Sequence, residues 1–340
     1  MKWSQQNSGE QASGPLPISP PLLDCQSVEY LYHNGAKLWR KEWFTDFERQ
    51  LAQSTQTKFT VTSFDGEVRT FTEESLGVKT PTCKREARFR EYWELIHSSN
   101  NASNFGNCTY LPFLRNPIPK PGATSSRARQ MFLKSLERWR LSDSCREARK
   151  VNKIVCFGLG DIFQAEETQS WNGQLIMLER PLLHHAIART TFDVANSLIQ
   201  TQERKTRLLT QDPGYLDQTK SALDDLGWEV VGEHGAGGFA EIDDESIVIS
   251  FYTPAPVAQI IADLARPIAI ICNTRERIQA VNGMITRPPW VDPESPRTRE
   301  MWKEYTRYDL GGEPGYKEGL DDLEIYVKTG NDRGGNGSVT

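Results

Sequence analysis

The sequence predicts an α/β protein built on a doubly wound, mainly parallel sheet with helices on both faces. Short apolar runs such as 154–157 and 247–251 fit strands that are buried on both faces, as in a parallel sheet. Helical patterns separate these runs at a regular rhythm, which is typical of alternating strands and helices. The first run ends in Gly158-Leu159-Gly160, a sharp turn after a buried strand. Together these features indicate a Rossmann-like fold with helical and β-hairpin N-terminal additions.

Five segments follow from shifts in composition and periodicity. A Rossmann-like core is expected over 146–273, after accessory helices and a hairpin over 22–145 that pack on it. A C-terminal extension over 274–329 comes after the core. The two ends, 1–21 and 330–340, are polar, contain several glycines and lack periodicity, so we expect disordered tails.

Local sequence patterns predict the accessory helices and the hairpin. Apolar residues at every fourth position predict a helix over 36–52. Asp65-Gly66 predicts the turn of a β-hairpin over 58–72, because apolar and polar residues alternate on both sides of it. Two more helices are expected over 84–97 and 125–139, on either side of a loop over 100–122.

The core and the extension are predicted in the same way. Core strands are expected over 154–157, 207–211, 229–231, 247–251 and 268–271, where β-branched and other apolar residues concentrate. Core helices are expected over 182–200, 216–226 and 256–264, with Gly227 closing the second and Pro256 opening the third. In the extension we expect a helix over 297–308 and an edge strand over 323–327.

Composition and charge restrict the class of protein. With 340 residues, 37% of them hydrophobic, the chain can bury a substantial core. The net charge of -5 argues against binding nucleic acid, since phosphate contacts depend on basic residues. The sequence has no apolar run of about 18 residues that would span a membrane. Its polar N-terminus lacks the apolar centre of a signal peptide, so we expect a cytoplasmic and/or nuclear protein.

The six cysteines form no C-x-x-C pair. In a reducing compartment we expect free thiols, with Cys156 and Cys272 packed as small core residues because both lie in apolar runs. The spacing gives no support for a zinc site, so no metal ligand is assigned.

Candidate ligand-binding residues follow the carboxyl ends of strands one, two and four. Glycines in the turn over 158–161 remove side-chain bulk and free backbone N–H groups for an anion. Asp212 follows strand two, where doubly wound folds commonly bind a ribose hydroxyl. Tyr215 and Thr253 are expected to rim the pocket. The predicted cofactor-binding set is Gly158, Gly160, Asp161, Asp212, Tyr215 and Thr253.

These residues also have an interpretation without a ligand. The full G-x-G-x-x-G pattern is absent, because Phe163 occupies the third glycine position. The two glycines could serve a tight turn alone, and an aspartate before Pro213 is a common turn former. The identity of any cofactor therefore stays open.

The sequence assigns no catalytic residue. His184-His185 could supply a general base, but adjacent helix residues point in different directions, and a packing role is favoured. The glycine-rich loop over 234–238 lacks the Lys-Ser/Thr of a P-loop, so a plain connection is favoured. The sequence contains no G-x-S-x-G, and its spacing assembles neither a Ser-His-Asp nor a Cys-His arrangement. Enzymatic activity stays open, with a non-enzymatic role favoured.

Several short core motifs share their order and spacing with a known family. They are the run 153–160, His184-His185-Ala186, the Gln-Asp-Pro-Gly-Tyr of 211–215, Leu226-Gly227, 246–251 and 256–267. Over about 146–273 the chain resembles the Sensitivity to Red Light Reduced-like domain in its fungal form. The resemblance implies a Rossmann-like domain with a regulatory role and no agreed reaction. Plant members are linked to light signalling and the circadian clock, and fungal members to growth and the regulation of haem biosynthesis.

The chain departs from the family at one motif. Many members outside fungi place Pro-His-Cys after the fourth strand, where this chain has Phe251-Tyr252-Thr253-Pro254. A metal or nucleophile role for that His-Cys pair therefore does not transfer to this sequence.

Three functions follow as hypotheses. The first is a regulatory protein that senses a nucleotide-like ligand. The second is a nucleotide- or S-adenosylmethionine-dependent transferase, although the acidic residue that such enzymes often place before the glycine turn is missing here. The third is an interaction module with a vestigial cleft and protein partners, for which the aromatic-rich flanks are the support.

Overall fold

The computed structural model describes most of the predicted core and parts of its flanks. The described residues are 25–53, 57–63, 66, 68–72, 87–97, 105–106, 150–163, 180–198, 205–273, 280–281, 284–285, 292–309 and 323–329. The two predicted tails, the predicted helix over 125–139 and most of the predicted loop over 100–122 lie outside the described residues.

Within these ranges the structure contains thirteen strands and eight helices. The strands are β1 Lys58–Thr62, β2 Val68–Thr72, β3 Arg88–Phe89, β4 Phe105–Gly106, β5 Lys153–Phe157, β6 Arg207–Gln211, β7 Glu229–Val230, β8 Ser246–Ser250, β9 Ala269–Asn273, β10 Ala280–Val281, β11 Met284–Ile285, β12 Tyr305–Asp309 and β13 Leu323–Lys328. The helices are α1 Cys25–His33, α2 Lys41–Ala52, α3 Tyr92–His97, α4 Arg180–Leu198, α5 Asp217–Asp225, α6 Gly237–Ala240, α7 Val257–Leu264 and α8 Pro296–Trp302.

A seven-stranded sheet organises the molecule. Its spatial order is β12-β13-β9-β8-β5-β6-β7. Strands β5 to β9 run parallel, whereas β13 runs antiparallel to both of its neighbours, β9 and β12. β5 lies at the centre, where Val155 pairs with Leu209 on one side and Val248 on the other. The predicted mainly parallel, doubly wound sheet is therefore confirmed.

The central strands are apolar because both of their faces are covered. Every residue of β8 is buried, and so are the last four of β5. Val155 and Phe157 enter one core and Ile154 and Cys156 the other, as alternation along a strand requires. Burying each large apolar side chain contributes about 1.5–3 kcal/mol, which favours this register over a one-residue slip.

Helices cover the two faces in separate groups. α4 and α5 contribute Ile187, Ala188 and Leu223 to the core that contains Ile154. α7 contributes Ile260 and Ile261 to the opposite core, and the accessory elements pack there too. The two faces therefore hold helices from different crossovers, as expected of a doubly wound sheet.

Aromatic rings join the accessory elements to the sheet. Phe157 at the end of β5 stacks on Phe239 of α6, with ring centroids 4.5 Å apart. Phe239 also contacts Phe44 of α2 at 5.1 Å and Phe89 of β3 at 5.3 Å. The predicted hairpin is present as β1 and β2, paired antiparallel from Lys58–Thr72 to Thr62–Val68.

The C-terminal extension differs from its prediction in two ways. The helix predicted over 297–308 is wrong beyond α8, because residues from Tyr305 onward form β12 and pair with β13. The predicted edge strand is β13, which lies inside the sheet between β9 and β12. Pairing partners outside the local sequence decided both outcomes, since strand preference depends strongly on tertiary context.

Smaller differences occur in the accessory region. The helix predicted over 84–97 begins only at Tyr92, after the strand β3. α1, α6 and the short hairpin of β10 with β11 were not predicted. None of the helices in the described ranges is both long enough and apolar enough to cross a membrane.

Candidate functional site

The carboxyl ends of β5, β6 and β8 meet at a reversal of the crossovers. The chain passes from β5 to β6 through α4 on one face, and from β8 to β9 through α7 on the other. In doubly wound folds, ligands bind outside the strand ends at such a switch point. The loops that follow these three strands contain all six residues predicted from the sequence.

The glycine turn after β5 is closely packed. Gly158 has φ +67, and a Cβ added there would lie 2.4 Å from the carbonyl oxygen of Phe251 and 2.5 Å from Cγ2 of Thr253. Gly160 has φ +82, and its added Cβ would lie 3.1 Å from Pro181 in α4. Glycine is therefore needed at 158 so that the loop after β8 can lie against the end of β5. At this point Thr253 itself fills the space beside the glycine.

Asp212 connects the loops after β5 and β6. Its Oδ2 accepts the backbone N–H of Gly160 at 2.8 Å, and its Oδ1 accepts that of Gly214 at 2.9 Å. The second bond forms the Asx turn expected before Pro213. The carboxylate thus stands at the end of the second parallel strand, the ribose-binding position of doubly wound folds, and also fixes the glycine turn.

Asp161, the residue after Gly160, also connects the loops after β5 and β6. Its Oδ1 accepts the N–H of Phe163 at 2.8 Å, and its Oδ2 accepts the N–H of Leu216, just before α5, at 2.6 Å. The side chain is buried, with 8% of its surface exposed. Asp161 and Asp212 therefore hold the two loops together from opposite directions.

Tyr215 lies in a buried chain of hydrogen bonds. Its hydroxyl is 2.8 Å from Oγ1 of Thr210 and 3.0 Å from Nε2 of His185, whose Nδ1 is 2.7 Å from the carbonyl oxygen of Pro181. A carbonyl only accepts, so Nδ1 donates and Nε2 accepts the Tyr215 proton. Burial lowers the pKa of His185 to about 4 and raises that of Tyr215 well above its ordinary value. The Tyr215 hydroxyl therefore links the β6 loop to α4 through buried hydrogen bonds.

The loop after β8 contains a strained residue. Tyr252 has φ +49, the one positive φ at a non-glycine residue in the described ranges. Its N–H donates to Oδ1 of Asn273 at 2.7 Å, and its ring stacks on His184 with centroids 5.8 Å apart. His184 in turn places Nδ1 3.2 Å from the carbonyl oxygen of Leu159. Strained backbone of this kind concentrates at functional sites.

The loop over 234–238 binds a carboxylate from another part of the chain. Glu48 of α2 accepts the N–H of His234 at 2.7 Å through Oε1, and those of Ala236 and Gly237 at 2.9 Å through Oε2. Gln211 accepts the N–H of Gly238 at 2.7 Å. The loop is therefore more than a plain connection, since its N–H groups form an anion-binding arrangement that the protein occupies itself.

Sequence reasoning missed Glu48, Gln211 and Asn273 as residues of this edge. Glu48 is separated from the loop it binds by 186 positions, and nothing in its local pattern indicates the contact. Gln211 and Asn273 are the last residues of β6 and β9, so their place at strand ends was the available signal.

The described residues include two free thiols and no candidate metal-binding cluster. Within the part of the chain that the structure describes, no group of three or more His, Cys, Asp or Glu side chains could hold a metal ion. Cys156 and Cys272 are free thiols, and complete burial raises the pKa of Cys156 far above its ordinary value.

The sheet order and the residues at its carboxyl edge define a Rossmann-like α/β domain with a candidate ligand site at the switch point. The family model of the SRR1 domain matches residues 132–307, just over half of the chain, and the protein belongs to this family. The resemblance to the Sensitivity to Red Light Reduced-like domain is thereby confirmed. The match extends beyond 273 through α8 into β12, so part of the extension belongs to the domain. At a coarse level, membership supports a regulatory type of domain.

Two other comparisons found no relatives. Neither a curated protein nor a solved structure is significantly similar to the chain.

Proposed function

We propose that this chain is a regulatory protein whose SRR1 domain binds a nucleotide-like small molecule at the carboxyl ends of β5, β6 and β8. Family membership supports the regulatory role, and the switch point supports the location of the site. The ligand would act by biasing the protein between states that partners distinguish. A cytoplasmic or nuclear location remains part of the proposal and rests on the sequence.

The main support is the bond between Asp212 and the glycine turn. The Asp212 carboxylate lies 2.8 Å from the N–H of Gly160 at the switch point. A ribose hydroxyl that hydrogen-bonds to this carboxylate would therefore also sense the position of the turn. Binding and loop geometry are thus coupled through one side chain, which gives the proposed sensor its physical basis.

A ligand screen on the full-length protein tests this proposal. Adenine nucleotides, nicotinamide dinucleotides and S-adenosylmethionine would be added at millimolar concentration, with calorimetry and thermal unfolding as readouts. Asp212→Asn should weaken the best ligand roughly tenfold or more, because hydrogen bonds to charged groups contribute about 1.5–3 kcal/mol. Asp225→Asn, on the exposed surface of α5, is the matched control and should leave affinity unchanged.

Two results would contradict the proposal. Binding that survives Asp212→Asn would place the site elsewhere on the molecule. If none of these compounds binds or stabilises the protein, the third hypothesis, an interaction module with a vestigial cleft, becomes the better account.

Strand order favours a second candidate, an S-adenosylmethionine-dependent transferase. Numbered 1 to 7 along the chain, the strands of the large sheet have the order 3-2-1-4-5-7-6 with strand 7 antiparallel. Rossmann-like methyltransferases share this order, which is a likeness of fold alone. Against it, Phe157 occupies the place before the turn and stacks on Phe239, where such enzymes often have an acidic residue.

The same screen separates the two candidates. A transferase should bind S-adenosylmethionine and its demethylated product, and should be indifferent to nicotinamide dinucleotides. Binding of adenine or nicotinamide nucleotides without binding of S-adenosylmethionine or its demethylated product would reject the transferase.

A further inference from the structure

Asn273 ends β9 at the same edge of the sheet as the candidate site. Its Oδ1 accepts the backbone N–H of Tyr252 at 2.7 Å. A backbone N–H must face an oxygen, so this bond fixes which way the amide is turned. The Nδ2 group, with two hydrogens to donate, therefore points away from Tyr252.

Nδ2 of Asn273 is buried and has no hydrogen-bond partner among the residues of the described structure. By contrast, two buried glutamine side chains of the described residues are paired at both ends of the amide. Gln211 donates to the carbonyl of Gly235 and accepts from Gly238, and Gln259 donates to the carbonyl of Pro293 and accepts from Tyr92. Proteins rarely keep a buried donor unpaired, and an exception calls for a physical explanation such as a functional role or a bound water or ion.

The neighbouring Tyr252 provides a second observation. Its left-handed backbone, with φ +49, is costly for an aromatic residue and is held by the bond to Asn273. Its ring is half-buried and lies beside His184. A strained, partly exposed aromatic side chain and an unpaired amide thus occur together at the ends of β8 and β9.

Position in the sheet separates this pair from Asp212. Asn273 follows Ile271 by two residues and so lies on the face that α4 covers. That face also contains Leu159 of the glycine turn. Asp212 stands beyond β5 at the end of β6, whereas Asn273 stands beyond β8 at the end of β9. The two side chains are therefore on opposite sides of the switch point.

We propose that Asn273 and Tyr252 form a second subsite that takes a planar heteroaromatic group with a hydrogen-bond acceptor. Nδ2 of Asn273 donates to a ring nitrogen or a carboxamide oxygen, and the ring lies against Tyr252. The inference deepens the proposed function and rests on it for one point, that a ligand occupies this edge. Such a ligand has two parts, a ribose at Asp212 and a planar acceptor group across the switch point.

Nicotinamide, which has no ribose, is the probe for this subsite. The full-length protein with ¹⁵N-labelled asparagine would be titrated with nicotinamide while the side-chain amide signals are recorded. The Asn273 signal, identified by its absence in Asn273→Asp, should shift with nicotinamide. Toluene, which is planar but has no acceptor, should leave it in place.

Asn273→Asp is the decisive variant, because an aspartate oxygen can still accept the Tyr252 N–H while the donor is lost. Nicotinamide binding should weaken by roughly tenfold or more, the scale of one lost hydrogen bond and an added repulsion between acceptors. The matched control is Asn34→Asp at an exposed turn, which should bind like the wild type. Thermal unfolding of each variant shows whether the fold is retained.

Several outcomes would overturn the inference. They are an Asn273 signal that does not respond to nicotinamide, a response equal to that of toluene, and unchanged binding in a folded Asn273→Asp protein. An Asn273 side-chain amide that contacts only trapped water would also overturn the inference. Adenosine monophosphate binding that depends on Asp212 but not on Asn273 would remove this subsite and leave the proposed function. Nicotinamide binding through Asn273 without any nucleotide binding would keep this subsite and contradict the proposed function.

Discussion

At the scale of single residues, carboxylates hold the loops around the candidate site. Asp161 and Asp212 each accept two backbone N–H groups, and Glu48 accepts three. Hydrogen bonds to charged acceptors are among the stronger ones in proteins. They keep loops that contain glycine in one arrangement, which would reduce the ordering cost of binding a ligand at the proposed site.

Gly158 gives the first prediction at this scale. Gly158→Ala should lower the free energy of unfolding by roughly 2–4 kcal/mol, the sum of a left-handed backbone cost and overpacking. The physical reason is the 2.4 Å approach of an added Cβ to the carbonyl oxygen of Phe251. Urea unfolding measures the loss. A larger substitution such as Gly158→Val would therefore disturb the fold as well as any ligand.

Gly227 provides the matched control for this prediction. It has φ +78 but no atom within 4 Å of an added Cβ, so Gly227→Ala carries the backbone cost alone, about 1–2 kcal/mol. Equal losses of unfolding free energy in the two variants would show that close packing around Gly158 does not add to the destabilisation.

At the scale of elements, α2 is attached to the core by more than apolar contact. Phe44, Phe47 and Leu51 bury its apolar side, and Glu48 binds the loop before α6. The apolar stripe was visible in the sequence, whereas the carboxylate contact was not. Helix periodicity reveals which side is buried, but it does not reveal which backbone groups a polar side chain will meet.

Glu48→Gln should loosen this attachment while keeping the size of the side chain. We expect a loss of about 1.5–3 kcal/mol in the free energy of unfolding, because a charged acceptor of several N–H groups becomes neutral. Hydrogen exchange should quicken at the amides of His234, Ala236 and Gly237. Glu42→Gln, on the exposed side of the same helix, should change neither quantity. Unaltered exchange in the Glu48 variant would refute the role of this carboxylate.

β12 shows why some elements could not be predicted. Trp302 and Tyr305 are spaced as on a helix, yet α8 ends at Trp302 and Tyr305 begins a strand. Tyr305 is buried against the sheet and its hydroxyl donates to the carbonyl of Pro267 at 2.7 Å. The pairing with β13, not the local spacing, determined the conformation.

At the scale of the whole molecule, both flanks are joined to the Rossmann-like core by a buried ion pair. Asp263 of α7 accepts the N–H groups of Leu38 and Trp39 at 2.6 and 3.1 Å. Arg297 of α8 donates to Asp263 at 2.5 Å, and its guanidinium lies 3.9 Å from the ring centroid of Tyr32. One carboxylate thus connects the N-terminal region, the core and the C-terminal extension.

Arg297→Ala should destabilise the molecule as a unit. Removing one partner leaves the Asp263 carboxylate, of which 2% is exposed, without its counter-ion. Breaking buried pairs in this way typically costs about 3–5 kcal/mol. Chemical unfolding should remain a single transition with a lower midpoint.

Arg299→Ala on the same helix is the control. Its ion pair with Glu294 is exposed, and such pairs contribute about 1 kcal/mol or less. A separate early transition in the Arg297 variant would instead mean that the flanks unfold independently of the core.

The sequence by itself determined the parallel core and its strands, and it predicted the edge at which we propose that a ligand binds. Buried strands such as β5 and β8 need continuous apolar runs, and turns such as Gly158 and Gly227 need glycine, so both leave strong local signals. The resemblance to the family came from the same motifs and is confirmed by the match over 132–307.

The tertiary structure alone decided the partners of polar groups. The sequence does not show that Thr253 fills the space beside Gly158, that Tyr215 turns its hydroxyl into the core, or that Asn273 keeps an unpaired donor. The sequence also does not show that β13 lies inside the sheet. Burial follows a local period that a sequence displays, whereas hydrogen bonds and strand neighbours join residues far apart, and only the folded chain brings them together.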